Sequence, residues 1–151
     1  MKNLFYIVLF GLLTTVCVNA QTIVTIRSGQ YRITADLLPI KTNWEKVLKD
    51  EGITASLVNF VVKSGADKTT GKTYYFLYGT NKDQSVKVAQ GLKLKGATLV
   101  FLSKNETPAG IMTCTGCVNG CVPAILNGNW ICDPACNKSD SECIKTETII
   151  Q

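Results

Sequence analysis

Six cysteines crowd the end of the chain, in the run Cys114-Thr-Gly-Cys117-Val-Asn-Gly-Cys121 and then at Cys132, Cys136 and Cys143. Sulfur at that density does one of four things: it bridges, binds a metal, holds an iron–sulfur cluster, or cycles as a redox pair. As three disulfides, the six allow 15 connectivities, and spacing alone does not choose among them. As a zinc module, Cys114-x2-Cys117 and Cys132-x3-Cys136, separated by fourteen residues, approach a four-thiolate ribbon and leave Cys121 and Cys143 as one bridge. The second pair carries three intervening residues where a ribbon has two. As a cluster site, Cys114-x2-Cys117-x3-Cys121 followed by Pro123 misses the ferredoxin spacings. As an oxidoreductase, Cys114-Thr-Gly-Cys117 needs a helix opening at the pair, which Gly116 and Gly120 oppose.

The other end of the chain decides between these. Lys2, the apolar run Leu4–Leu13 and the small-residue site Val18-Asn19-Ala20 read as a secretory signal peptide over residues 1–20. The apolar core is too short for the roughly 20 residues of a membrane span. Cys17 follows Val16 and Thr14, which do not make a lipidation box. No twin-arginine pair is present, so the expected route is the general secretory one, unfolded and without cofactor, into the periplasm or the extracellular space. An oxidising space makes disulfides the expectation for Cys114, Cys117, Cys121, Cys132, Cys136 and Cys143.

Several chemistries are absent from the sequence. There is no histidine, which removes the commonest general base and rules out Ser/His/Asp and Cys/His catalysis. Gly65-x5-Gly71-Lys72-Thr73 is one residue too long for a phosphate-binding loop, and no helix follows it. The carboxylates Asp50-Glu51, and Asp67 with Asp83, have nothing in the sequence that sets two of them across a cleft. Tyr74, Tyr75 and Tyr78 could stack on sugars or peptides, although aromatics are also ordinary strand formers. The net charge of +5 is carried by scattered lysines, with the tail after Cys114 slightly acidic. Scattered lysines describe a solvated surface and give no nucleic-acid footprint.

The elements that position these residues follow from periodicity. Thr22–Arg27 and Gln30–Ala35 flank the turn Ser28-Gly29 as a hairpin. Thr42-Asn-Trp-Glu45 matches a capping box, so a short helix is predicted from there, with Trp44, Val47 and Leu48 inward, Glu45 paired to Lys49, and Gly52 as terminator. Strands are predicted over Leu57–Val62, Thr73–Tyr78, Val86–Lys95 and Thr98–Ser103, with Ser64–Lys72 a long polar turn. In Val86–Lys95 the alternation places Val86, Val88, Leu92 and Leu94 inward and Lys87, Lys93 and Lys95 in water. Asn127-Gly128 predicts a hairpin between Val122–Leu126 and Trp130-Ile131, with Cys121 and Cys132 on opposite arms. Ile144–Ile150 reads as a last strand that rejoins the sheet.

The expected fold is α+β, an antiparallel meander with one short helix, followed by a small disulfide-rich C-terminal subdomain. The expected division is signal peptide 1–20, body 21–107 and cysteine-rich subdomain 108–151. The function expected is non-catalytic binding or structural work outside the cytoplasm, with a protein or glycan partner, no cofactor, no catalytic residue and no stable membrane span. The alternatives are an oxidoreductase using Cys114 and Cys117, and the zinc module of Cys114, Cys117, Cys132 and Cys136.

Overall fold

A computed structural model describes residues 21–133 and 142–149. The leader with Cys17, and Cys136, lie outside the described residues. The fold is an antiparallel sheet with one helix on it, as the alternation predicts. The strands are β1 (Thr22–Arg27), β2 (Gln30–Ile33), β3 (Leu57–Ala66), β4 (Thr73–Asn81), β5 (Val86–Lys95), β6 (Thr98–Phe101), β7 (Ile111–Thr115), β8 (Val122–Leu126), β9 (Asn129–Asp133) and β10 (Ile144–Thr148), with α1 at Leu37–Asp50. Eight strands form one sheet, and β8–β9 form a separate hairpin.

β5 is the hub. One edge pairs with β4 over Lys87–Leu92. The other edge is shared, by β7 over Val86–Gln90 and by β6 over Leu92–Lys95. From β6 the sheet runs on to β1 and β2, and from β7 to β10. The last strand thus rejoins the main sheet, and so does Ile111–Thr115, which the sequence presents only as the lead-in to a cysteine motif. At the β1–β6 pairing a register shift falls between Thr22 and Val24. Such a bulge turns two consecutive residues inward, and Ile23 and Val24 are both fully buried.

The helix begins earlier than the capping box suggests. Asp36 is the N-cap and accepts from Leu38 N at 2.9 Å. Pro39 lies in the first turn, where an amide proton has no helical partner to lose. Thr42 is therefore interior, and its hydroxyl donates to Leu38 O. Glu45 pairs with Lys41 rather than Lys49, and accepts from Leu57 N at 2.8 Å, tying the helix to the start of β3. Gly52 ends the helix at φ +78°; Gly52 N donates to Lys49 O and Ile53 N to Leu48 O, the Schellman pattern. Ile40, Trp44 and Leu48 recur every fourth residue and bury against Leu77, Val88, Leu92 and Leu99. Trp44 Nε1 donates to Gln90 Oε1 at 3.2 Å, which satisfies a buried amide of β5.

The opposite face of the sheet is not wet. Phe76, Tyr78, Ala89, Met112 and Cys114 form a second core with Cys121, Ile125 and Trp130 of the tail. This corrects the face assignment in β5. Lys87 is 1% exposed, and Leu94, near the strand's end, is 56% exposed. Alternation gives the period of a strand but not which of its faces a later segment covers. β3 also runs to Ala66, four residues past its predicted end, because it pairs with β4 as far as Ala66↔Thr73.

Candidate functional site: a disulfide-locked face and a tyrosine groove

The tail covers the second core through a tight hairpin. Asn127 and Gly128 both take positive φ, +51° and +75°, the two-residue turn that Asn-Gly favours because glycine adopts this geometry without steric cost. Trp130 then meets Phe76 edge-on at 5.8 Å between ring centroids. Asp67, at the end of the β3–β4 hairpin, holds the turn from the body side. Its carboxylate accepts from Thr69 N and Thr70 N within its own loop, and from Gly128 N at 2.6 Å. These amides, Thr70 first, hold the Asp67 carboxyl down at about 2. Lys68 beside it pairs with Asp133 of β9.

Two disulfides close this face, Cys114–Cys132 and Cys121–Cys143. The first joins β7 to β9; the second joins the residue before β8 to the residue before β10. Cys117 is also disulfide-bonded. Cys121 takes a left-handed φ of +58°, a conformation that costs a non-glycine residue of order 1 kcal/mol or more, and it is fully buried there. The two bridges are neighbours: the Sγ atoms of Cys121, Cys132 and Cys143 all lie within 4.8 Å of one another. Cys114 is joined to Cys132 and not to Cys117, so the Cys-x2-Cys spacing does not mark a bonded redox pair here. Residues 116–121 form bends and a turn rather than a helix. Of the zinc-ribbon set, Cys114 and Cys132 are bonded to each other, and Cys136 is outside the described residues.

Lys87 passes under this lid. Its Nζ donates to Cys117 O at 2.8 Å. Burial, and then the charge of Lys63, lower its pKa. Cys114 stands directly opposite Lys87 on β5 and directly opposite Lys145 on β10. Lys145 Nζ donates to Trp130 O at 2.6 Å. A lysine read from its alternation as solvated thus anchors the cysteine loop; only the position of the tail reveals it.

The three tyrosines separate. Tyr78 belongs to the second core, 6% exposed, with Lys63 Nζ 3.6 Å above its ring, and burial pushes its hydroxyl up to about 12. Tyr74 and Tyr75 instead line an open groove of about 490 Å³ with Lys72, Lys93, Leu94, Glu106 and Thr107. Tyr75 stacks obliquely on Tyr31 at 5.9 Å, and Lys72 Nζ lies 5.0 Å from the Tyr74 ring.

The far wall of the groove is the loop that follows β6. Glu106 accepts from Lys93 Nζ at 2.6 Å and from Ser103 N and Oγ at 2.8 Å each. The Lys93 bond foremost holds its carboxyl at about 2. The loop lies close on β5 because residue 91 is glycine. A Cβ there would stand 2.5 Å from Leu102 Cδ1 and 2.9 Å from Pro108 O. Sequence reasoning missed Glu106 and this wall. Gly91, which interrupts the alternating strand, was the available signal, since a strand glycine often marks close backbone approach.

The other carboxylates singled out from the sequence are engaged in the fold, Glu51 across it to β10. Asp50 pairs with Lys46, Glu51 accepts from Thr148 Oγ1, and Asp83 caps Ser85. The Gly65–Thr73 stretch is the end of a hairpin, with no helix after it. No protein-family model, curated protein or solved structure matches the chain.

Proposed function

We propose that this is an exported, non-catalytic binding domain, and that the Tyr74–Tyr75 groove takes a sugar unit of a glycan. The observation that carries the reading is the pairing of two tyrosine rings with Lys72, Lys93 and Glu106 around one open concavity. A pyranose offers an apolar ring face and a rim of hydroxyls. Tyrosine takes the first, and ammonium and carboxylate groups take the second. The ion pair Lys93–Glu106 is already assembled, so binding orders little.

Export is supported by the leader pattern of Met1–Ala20 and is compatible with two disulfides. Among the described residues no helix is long and apolar enough to cross a membrane. Bridges of this span stabilise a chain that must persist outside the cell. Cys117 is bridged as well, and peptide mapping of the non-reduced protein identifies its partner.

The test is calorimetric titration with a panel of neutral and acidic oligosaccharides. Saturable heat with one class, lost in Tyr74→Ala and Tyr75→Ala while the folded signal is kept, supports the groove. Heat unchanged in both variants, or none with any glycan, overturns it; catalysed insulin reduction lost on Cys114→Ser would support the oxidoreductase in its place. The mass of secreted material, reduced and non-reduced, reports leader removal and bridge number together.

A further inference from the structure

We propose that the two neighbouring bridges form a redox-gated metal site: once reduced, Cys114, Cys121, Cys132 and Cys143 gather around one soft divalent cation of the zinc–cadmium type. This set differs from the zinc-ribbon spacing, because it is defined by where the fold brings sulfur rather than by intervals along the chain. Three of the four Sγ atoms already lie within 4.8 Å of one another, and the fourth, Cys114, is bonded to Cys132. A tetrahedral centre with metal–sulfur bonds of about 2.3 Å needs sulfurs roughly 3.8 Å apart. The adjustment therefore separates each bonded pair by side-chain rotation, while the two pairs stay adjacent. The Cα separations within the pairs are 5.8 and 5.4 Å, within reach of two cysteines on one ion.

The scaffold does not depend on the bridges alone. Cys114 lies inside β7, held by ladders to β5 and β10, and Cys132 lies inside the β8–β9 hairpin. Cys143 directly precedes β10, and Cys121 directly precedes β8. Two lysines also stand in register with Cys114, their ammonium groups on the Cys117 and Trp130 carbonyls. A divalent ion with four thiolates carries two net negative charges, which are costly to bury unpaired. Lys87 and Lys145 flank Cys114 on either side in register; Lys145 also meets Glu147 at 3.3 Å. Cys132 and Cys143 are half-buried while Cys114 and Cys121 are fully buried, so a reductant meets the outer sulfur of each bridge.

The chemistry balances simply. A two-electron reductant, a dithiol or a phosphine, converts each bridge to two thiols. A dithiol leaves as its own disulfide, and a phosphine as its oxide with oxygen from water. Four thiols then bind one divalent ion as thiolates and release their four protons to solvent, so affinity rises with pH.

The experiment reduces the full mature protein with a water-soluble phosphine, titrates Cd2+, and follows thiolate-to-cadmium charge-transfer absorption. Alkylation and peptide mapping then identify the protected cysteines. The expected result is one ion per chain, with protection at Cys114, Cys121, Cys132 and Cys143 and alkylation at Cys117 and Cys136. Cys143→Ser should weaken Cd2+ by more than the 10–100-fold that outer-shell changes give, and Cys117→Ser should leave it within about twofold. Near-ultraviolet circular dichroism, to which buried Trp44 and Trp130 both contribute, separates site loss from unfolding. A reduced chain that regains this signal on Cd2+ addition supports the site. Protection at Cys114, Cys117, Cys132 and Cys136 instead, or a reduced chain that takes up no ion, overturns it.

Discussion

The two faces of β5 are buried by different means. On one face α1 packs a complete apolar stripe, Ile40, Trp44 and Leu48, against the sheet, and a single side-chain hydrogen bond to Gln90 satisfies the polar residue beneath. On the other face the tail offers few large apolar groups, chiefly Ile125 and Trp130, and covers a buried lysine. There the cover is covalent. The difference shows that a short segment without enough apolar area can still close a core, provided its unfolded state is restricted instead.

The comparison can be broken at either face. Trp44→Ala opens a cavity on the helix face, and the expected loss is about 3–5 kcal/mol in denaturant unfolding. Paired replacement Cys121→Ser with Cys143→Ser removes one of the covalent constraints on the other face and leaves Cys114–Cys132 in place. A bridge with a sequence separation of 22 should be worth about 3 kcal/mol, and reduction should leave the helix-face variant's relative loss unchanged if the faces act independently. Gly91→Ala forces the Leu102–Pro108 wall away from β5; overpacking of this kind costs about 1–3 kcal/mol, and glycan affinity should fall with it, read by calorimetry.

The smallest expected effect is electrostatic. Asp67 and Glu106 have folded pKa values of about 2, below their ordinary 3.8 and 4.5. A depressed carboxyl stabilises the fold above its unfolded value, and that contribution is lost as pH falls toward the folded value. Melting temperature should therefore be flat down to about pH 5 and decline between there and pH 2. Asp67→Asn should melt lower at neutral pH and show a shallower decline, because the amide cannot lose a proton-linked contribution. An equal decline in wild type and variant would remove Asp67 from the account.

What could be read in advance was what depends on near neighbours. Ser28-Gly29 and Asn127-Gly128 announce hairpins because left-handed backbone is a property of one or two residues. Val86–Lys95 is a strand with the predicted ends because alternation is local. The helix start escaped because two N-termini competed: Thr42 with Glu45 satisfies a capping box on paper, but Asp36 is also a cap, and Pro39 fits the first turn of the longer helix. Similarly, Tyr74, Tyr75 and Tyr78 are indistinguishable in the chain, and only the Gly91-enabled approach of the Leu102–Pro108 loop makes two of them a groove wall.

Sequence alone determined that this chain forms an antiparallel sheet with a helix and that its sulfur is committed, since period, turn chemistry and cysteine density are carried by the residues themselves. Tertiary structure decided that Lys87 is buried, that Cys114 meets Cys132 and Cys121 meets Cys143, and that the two bridges lie side by side. The reason is distance along the chain. Each of these outcomes depends on where a segment 18 or more residues away comes to rest, and no local preference encodes that position.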